Sequence, residues 1–233
     1  MRINKFLASS GLCSRRQADE LIKNGRVTIN GKTAVLGDKV EGTENVEVNG
    51  LTVTANEEKI YIAFHKPYGV ICTTDPNATN NIIDYIKFPT RIFPIGRLDV
   101  ESSGLILLTN DGEIVNQISK AQNGFEKEYM VTVDKEVTPQ VLQKLNEGVV
   151  IPLDRGMSRK TLPAKTEKIS PNQFSITIIQ GMNRQIRRMC EAVGFTVKIL
   201  KRVRIKNINL EGLNRGKWRH LTDEEVKELL KSS

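Results

Sequence analysis

The chain has 233 residues, of which 39% are hydrophobic and 27% charged, and its formal net charge is +8; this length suits two domains with a buried core. No apolar run is long enough to span a bilayer and no apolar stretch near the first residue resembles a signal peptide, which argues against a membrane or secreted protein. Three widely spaced cysteines and two histidines argue against a disulfide framework, a structural zinc site and a histidine triad, so we expect a reducing compartment such as the cytoplasm.

Residues 1–50 are predicted to form a small module of two helices and a small sheet. Ser14 begins a Ser-x-x-Gln capping box, which predicts the start of the second helix. Asn30-Gly31 and Asn49-Gly50 each predict a hairpin turn, because an Asn-Gly pair readily takes the positive φ angles of a type I′ turn. A module of this size is typical of binding and not of catalysis.

The polar segment 51–59 is interpreted as a linker, and residues 60–233 as a second domain that mixes short strands with helices. The predicted strands are Ile60–Phe64, Val70–Thr73, Leu105–Thr109, Glu128–Val133, Phe174–Ile179, Val197–Leu200 and Val203–Leu210. The predicted helices are Asp111–Lys120, Pro139–Glu147, Arg184–Val193 and Asp223–Leu230. Because helices and strands do not alternate regularly, we expect an α+β fold with a mixed, largely antiparallel sheet and flanking helices.

The positive charge is concentrated in the last quarter of the chain. Residues 180–220 contain 11 Lys and Arg against 2 Asp and Glu, whereas residues 1–50 contain 8 against 6. A localised basic surface attracts polyanions through phosphate neutralisation and counterion release. RNA or DNA is therefore the expected partner, and a solvated basic face without a partner is the alternative.

The predicted helix Arg184–Val193 has a basic face. At 100° per residue, Arg184, Arg187 and Arg188 lie roughly 160° from the apolar side chains of the same helix. Because the apolar face must pack on the sheet, we expect the three arginines to point away from the core, into solvent or a cleft.

The basic region continues along a predicted strand. Its members are Lys201, Arg202, Arg204 and Lys206. In a regular strand Arg202 and Arg204 share one face. The helix and the strand together predict an electrostatic groove for a nucleic-acid backbone.

Asp99 is a candidate catalytic residue. It lies in a polar, glycine-flanked segment that precedes the apolar strand Leu105–Thr109, so we expect a loop at the edge of the sheet. Such loops often carry catalytic groups, although a turn aspartate more often caps a turn. An aspartate without a neighbouring histidine can act as a nucleophile or base if an arginine keeps it ionised, and the basic helix could supply that arginine.

Four segments resemble, in order, the motifs of pseudouridine synthases of the RsuA/RluB/RluE/RluF branch, and most of all its RluF type. The segments are Gly96–Leu105, Lys127–Tyr129, Gly181–Met189 and Gly216–Thr222. Residues 1–50 resemble an S4 RNA-binding domain. The resemblance implies an enzyme that isomerises uridine to pseudouridine in 23S ribosomal RNA and needs no metal or other cofactor.

The resemblance also implies roles for particular residues. Asp99 corresponds to the aspartate that breaks the C1′–N1 bond, after which uracil is rejoined through C5. The resemblance leaves open whether the reaction passes through a glycal or through a covalent adduct with Asp99. Tyr129 would stack on the base and help with the C5 proton, although a tyrosine considered without the resemblance is more often a core residue. Arg187 is the expected ion-pair partner of Asp99, with Arg184 as second candidate, and Arg97 would hold the extruded nucleotide.

The remaining expected RNA contacts are basic or hydroxyl side chains on the two domains. In the S4-like module they are Arg2, Lys5, Ser14, Arg15 and Arg16, which would bind phosphates and RNA shape, and in the second domain Arg188, Lys201, Arg202 and Arg204. We expect a monomer that acts on ribosomal RNA, free or in an assembly particle. The alternatives are the same chemistry on small-subunit ribosomal RNA or transfer RNA, and a non-catalytic RNA-binding protein of ribosome assembly.

Overall fold

The computed structural model describes residues 1–54, 58–119, 124–153 and 156–231. The chain divides into two compact units. The first is Met1–Ile60 with Phe88–Ile92 and Thr109–Gly112, and the second is Tyr61–Lys87, Phe93–Leu108 and Glu113–Ser233. Parts of the predicted linker 51–59 and of the predicted helix Asp111–Lys120 lie outside the described residues.

The first unit contains the two helices and the small sheet that the sequence predicts. The helices are α1 (Ile3–Ser9) and α2 (Arg15–Lys23), and the strands are β1 (Val27–Ile29), β2 (Lys32–Thr33), β3 (Val46–Val48) and β4 (Leu51–Thr52). The sheet is antiparallel with the order β2-β1-β3-β4. Both helices and strands β1 and β3 contribute to one buried apolar cluster.

Local sequence signals determine where these elements begin and turn. The Ser14 hydroxyl accepts a hydrogen bond from the Gln17 amide, and the Gln17 side chain accepts one from the Ser14 amide, so the capping box is confirmed. Asn30 and Asn49 have φ angles of 49° and 52°, as their hairpin turns require. Strand β4 continues the sheet to Thr52, two residues into the segment interpreted as a linker, because the second turn pairs it with β3.

The second unit is built on one large sheet, with helices packed against it. Its helices are α3 (Ile82–Ile86), α4 (Ile114–Ser119), α5 (Pro139–Glu147), α6 (Gln185–Ala192) and α7 (Asp223–Leu230). The sheet strands are β5 (Tyr61–Lys66), β6 (Phe93–Ile95), β7 (Ser103–Thr109), β8 (Lys127–Val133), β11 (Lys165–Ser170), β12 (Gln173–Ile178), β13 (Val197–Ile205), β14 (Ile208–Asn209) and β15 (Trp218–His220). A separate pair consists of β9 (Val150–Pro152) and β10 (Ser158–Lys160).

The strand order of the large sheet is β11-β12-β8-β13-β7-β5-β15. Strand β13 runs parallel to β7 and antiparallel to β8, whereas β11–β12, β12–β8, β13–β14 and β15–β5 are antiparallel pairs. The expected α+β fold with a mixed, largely antiparallel sheet is therefore confirmed. No helix within the described ranges is both long and apolar enough to cross a membrane.

Several element predictions are wrong in detail. The strands predicted at 197–200 and 203–210 are one long strand, β13, followed by the short β14. Residues Val70–Thr73 do not form a strand, because Ile71 makes only an isolated bridge with Asn81. The short or polar elements α3, β6, β9, β10, β11 and β15 carry no clear hydrophobic period and were not predicted.

Candidate active site

A cavity of about 670 Å³ lies in the second unit. Three segments that the sequence analysis singled out contribute to its lining, namely the loop Gly96–Ser102, strand β8 through Lys127 and Tyr129, and the segment Gly181–Ile186. Its volume falls within the range of roughly 300–1,000 Å³ that is usual for small-ligand sites. The topology therefore brings sequence-distant motifs to one place.

Asp99 is half-buried in the lining of this cavity, in the loop between β6 and β7. The backbone around it is anchored: the Ser102 amide donates to the Asp99 carbonyl (3.0 Å), the Gly69 amide donates to the Val100 carbonyl (2.8 Å), and the Leu98 amide donates to Cys72 Sγ (3.5 Å). No described residue makes a hydrogen bond to the Asp99 carboxylate itself. The loop thus fixes the backbone at Asp99, while the carboxylate oxygens have no hydrogen-bond donor among the described residues.

The negative charge of Asp99 acts on two nearby cations, Lys66 and Arg184. Lys66 is fully buried at the end of β5, where its ammonium group donates to the carbonyls of Pro67 (2.9 Å) and Val70 (2.8 Å). Burial lowers the pKa of Lys66, and the nearby Cys72 and Asp99 partly oppose that shift. The pKa of Arg184 is raised, first by its hydrogen bond to Glu101 and further by the negative charges of Glu101 and Asp99.

Arg184, the second candidate for the partner of Asp99, lines the cavity beside the Asp99 loop. Its backbone has a φ angle of 50°, and helix α6 begins after it, at Gln185. Its guanidinium donates to the Glu101 carboxylate at 2.9 Å. Arg184 therefore belongs to the helix terminus and not to the helix face on which it was predicted.

Arg187 does not point away from the core, which corrects the prediction made from the helical period. Its side chain is buried (7% of the residue exposed), and it donates to the Glu101 carbonyl (2.7 Å) and to the Val197 carbonyl (3.2 Å). Among the described residues its guanidinium makes no ion pair with Asp99, and it is not part of the cavity lining. Its Nε makes no hydrogen bond among the described residues but lies 3.8 Å from the Glu101 carboxylate. Through these contacts Arg187 ties α6 to the Asp99 loop and to β13.

Arg188, the third arginine of the helix, is only partly exposed and turns toward β9. It donates to the Pro152 carbonyl (2.8 Å) and to Asn183 Oδ1 (3.0 Å), and it does not line the cavity. The three arginines of the predicted basic face therefore occupy three different environments.

Tyr129 and Arg202 form a buried pair in the cavity lining. Arg202 is 3% exposed, its Nε donates to the Leu105 carbonyl (2.6 Å), and its Nη1 donates to the Tyr129 hydroxyl (3.4 Å). The guanidinium lies 5.9 Å from the centroid of the Tyr129 ring. Its Nη2 is buried and has no hydrogen-bond partner among the described residues. Arg202 was expected in an open groove and instead supports Tyr129.

Arg204 does not share a face with Arg202, which corrects a second prediction. The register of β13 against β8 shifts between these two residues, and this irregularity reverses the alternation of side chains. Arg204 instead pairs with Glu128 (2.8 Å) and Glu126 (3.1 Å). With Lys201 it lines a second cavity of about 360 Å³, so the predicted groove is divided between two cavities.

Lys127 is a cavity residue for which the sequence analysis predicted no role. Its ammonium group donates to the Phe125 carbonyl (3.1 Å) and approaches the Ile179 carbonyl (3.5 Å). Burial, together with the charge of Arg202, lowers its pKa to about 8. Lys127 could have been found from its place in the Lys-x-Tyr motif, and Lys66 from its place at the end of an apolar strand.

The remaining predicted contacts lie on the surface or near it. Arg97 is exposed and lines the cavity. In the first unit Arg2, Arg15 and Arg16 are exposed, whereas Lys5 and Ser14 are partly buried. Ser14 caps α2, so a local structural role accounts for its hydroxyl.

The family model described as RNA pseudouridylate synthase matches residues 60–192, and the S4 domain model matches residues 1–46. The chain is 46% identical to the dual-specificity RNA pseudouridine synthase RluF of Escherichia coli (strain K12) over 233 residues, which are 99% of this chain and 79% of that protein. It is 43% identical to the ribosomal large subunit pseudouridine synthase B of Bacillus subtilis (strain 168) over 237 residues, covering 98% of this chain and 95% of that protein.

A solved structure is also similar over nearly the whole chain. It is a crystal structure of pseudouridylate synthase, with a TM-score of 0.72 and 31% sequence identity, covering 99% of this chain and 100% of that chain. The resemblance of the four motifs and of the N-terminal module is thereby confirmed. The chain belongs to the RNA pseudouridylate synthase family, as an S4-containing member of the RsuA/RluB/RluE/RluF branch, and is an RNA pseudouridine synthase.

Proposed function

We propose that this enzyme converts a uridine of 23S ribosomal RNA into pseudouridine and that Asp99 opens the bond between C1′ and N1. The position of Asp99 carries the proposal: the backbone on both sides of it is anchored, and it lines a cavity together with Tyr129. The names of the relatives from Escherichia coli and Bacillus subtilis support an RNA substrate, and the second of them names the large ribosomal subunit.

The reaction is an isomerisation that returns every atom to the product. The C1′–N1 bond breaks, the uracil rotates, and a C1′–C5 bond forms, while a proton leaves C5 and N1 takes one up. Asp99 either attacks C1′ to give a covalent adduct or removes a proton from the ribose to give a glycal. Both routes need an ionised carboxylate in a site that retains the detached base.

The charges around Asp99 suit this role. The negative charge of Asp99 contributes to the pKa values of Lys66 and Arg184, so these two cations lie within its electrostatic range. We assign the pairing role to these two residues, and to Arg187 the task of positioning the loop through Glu101. This assignment follows the contacts of Arg187, which are to the carbonyls of Glu101 and Val197 and to the Glu101 carboxylate.

The cavity favours isomerisation over hydrolysis. A hydrolase that breaks a glycosidic bond usually employs a second carboxylate to activate water. Glu101 is the other carboxylate in the cavity lining, and it is held by Arg184 at 2.9 Å. Because the Glu101 carboxylate is engaged in this ion pair, it is poorly suited to activate water.

Tyr129 is proposed to stack on the uracil and to assist removal of the C5 proton. Arg202 holds the Tyr129 hydroxyl and lies near its ring, so it positions this side chain. Arg97, exposed at the cavity, is proposed to contact the RNA and keep the target nucleotide out of the base stack.

The further proposed RNA contacts are Arg2, Lys5, Ser14, Arg15 and Arg16 of the S4 domain and Arg188 and Lys201 of the second unit. Arg204 is not among them, because Glu126 and Glu128 engage its guanidinium. We propose that the enzyme acts as a monomer on ribosomal RNA, either free or in an assembly particle. Cytoplasmic localisation is supported by its three cysteines, which are all buried and free.

Substitution of Asp99 by Asn tests the proposal, because the change removes the charge and preserves the shape. We expect turnover to fall by roughly 10⁴-fold or more while RNA affinity persists. Single-turnover assays with labelled uridine measure the rate, and Asp75→Asn, at an exposed turn aspartate, is the control. Turnover of Asp99→Asn at the wild-type rate would overturn the assignment.

A second candidate is the same chemistry on small-subunit ribosomal RNA or on transfer RNA. The name of the Escherichia coli relative, which includes the words dual-specificity, favours testing more than one RNA. Pseudouridines should be mapped in ribosomal and transfer RNA from cells with and without the gene. Loss of a site in 23S RNA supports the proposal, and loss only elsewhere assigns the second candidate.

A further inference from the structure

The turn that follows strand β5 is held rigidly beside the Asp99 loop. The buried Lys66 ammonium binds the carbonyls at both ends of this turn, those of Pro67 and Val70. The Asn80 side chain donates to the Gly69 carbonyl (2.8 Å), and the Gly69 amide donates to the Val100 carbonyl (2.8 Å). Four hydrogen bonds therefore fix a turn of four residues.

Tyr68 lies within this turn and is 62% exposed. Its ring has no stacking partner among the described residues, whereas the Tyr85 ring packs 5.8 Å from the centroid of Phe64. A single exposed aromatic residue is common on a protein surface. An exposed aromatic residue on an immobilised turn is better suited to binding than one on a flexible loop. Its backbone is already ordered, so binding costs less conformational entropy.

The place of Tyr68 indicates its ligand. The Gly69–Val100 hydrogen bond sets this turn against the residue that directly follows Asp99. Arg97 and Val100, both exposed, line the cavity in the same loop. The exposed ring lies on a turn that is hydrogen-bonded to the cavity loop, and the exposed Arg97 guanidinium belongs to that loop. Proteins stack unpaired bases of RNA on such aromatic and guanidinium surfaces.

We propose that Tyr68 is a stacking platform for an unpaired nucleobase next to the target uridine; this inference rests on the proposed RNA substrate. Extrusion of the target nucleotide takes a stacking partner away from its neighbours. The Tyr68 ring replaces that partner, and the cavity holds the extruded uridine. Stacking on an aromatic ring tolerates any base, so Tyr68 contributes affinity and substrate distortion more than sequence selection.

Substitution of Tyr68 separates ring stacking from the rest of the fold. In single-turnover assays on an RNA fragment that contains a mapped target, we expect Tyr68→Ala to raise the RNA Kd by about tenfold. Tyr68→Phe should keep wild-type affinity, because the ring and not the hydroxyl carries the contact. Ile169→Ala, at an exposed residue of β11 that does not line the cavity, is the control.

Abasic substitutions in the RNA identify the stacked base. Each nucleotide on either side of the target is replaced in turn by an abasic site, and the Kd ratio between Tyr68→Ala and wild type is measured. We expect the ratio to return to about one at a single neighbouring position, as in a double-mutant cycle. A ratio that stays unchanged at every position, or a Tyr68→Ala enzyme that binds as tightly as wild type, would overturn the proposal. A wild-type enzyme that forms no pseudouridine in any RNA would instead overturn the proposed function.

Discussion

Lys127 shows how the cavity changes the chemistry of a single residue. Its ammonium group is partly buried against backbone carbonyls, and burial lowers its pKa to about 8 from an ordinary value of 10.5. Between these two values the unfolded chain binds a proton that the folded chain has released. The contribution of Lys127 to the free energy of unfolding therefore rises as pH increases from about 8 toward 10.5, and the cost of its charge is present in full below pH 8.

Lys127→Met removes this titration. We expect the unfolding free energy of wild type to gain roughly 1 kcal/mol per pH unit relative to Lys127→Met between pH 8 and 10. Urea unfolding at pH 7, 8, 9 and 10 measures the difference, and Lys198→Met, at an exposed lysine of β13, is the control. Parallel pH profiles of wild type and Lys127→Met would show that burial does not shift this lysine.

At the scale of elements, the close approach of β7 and β13 shapes the cavity wall. Gly104 pairs with Arg202 across these parallel strands and has a φ angle of 108°. A Cβ atom at position 104 would lie 2.2 Å from the Arg202 carbonyl oxygen and 2.6 Å from its nitrogen. Only glycine at position 104 therefore allows β7 to approach β13 at Arg202, whose side chain contacts Tyr129.

Gly104→Ala should push the two strands apart. We expect a loss of roughly 2–4 kcal/mol in stability and a marked drop in turnover, because the new methyl group meets rigid backbone. Gly212→Ala is the matched control, since Gly212 also has a positive φ angle of 71° but has open space around its Cβ position. Equal losses in the two variants, measured by urea unfolding, would mean that φ strain and not the strand contact is responsible.

Elements with strong local signals could be predicted from the sequence. Helices α5 and α7 begin and end where the predicted Pro139–Glu147 and Asp223–Leu230 do, because a first-turn proline and a capping box mark their starts. The positions of the basic side chains could not be predicted, because they depend on tertiary geometry. Arg204 leaves the face of Arg202 through a register shift between neighbouring strands, which local residue types do not encode.

The same limit applies to the arginines of α6. Periodicity places Arg187 opposite the apolar side chains, but two backbone carbonyls from other segments allow it to be buried. The sequence motifs singled out Asp99, Tyr129 and, as second candidate for the ion pair, Arg184, and the folded chain brings these three to the lining of one cavity. The contacts of Lys66 and Arg202 that support them emerged only from the folded chain.

At the scale of the whole molecule, the positive charge divides into engaged and available groups. Arg204 and Arg219 are bound to glutamates, Arg187 to Glu101 and to backbone carbonyls, and Arg202 to a backbone carbonyl and the Tyr129 hydroxyl. The local excess of charge over residues 180–220 therefore overstates the charge that faces a partner. Exposed residues such as Arg15 and Arg16 of the S4 domain are therefore stronger candidates for phosphate contacts than the engaged arginines.

The salt dependence of RNA binding tests this division. Each phosphate contact on single-stranded nucleic acid contributes about −0.7 to the slope of log K against log salt. We expect Arg15→Gln combined with Arg16→Gln to make the slope less negative by about 1.4, because both side chains are exposed at the start of α2. The matched control is Lys165→Gln with Lys168→Gln, which removes the same charge from lysines paired with Glu126 and Glu136. Equal changes of slope in the two double variants would mean that net charge, and not phosphate contact by the S4 domain, governs RNA binding.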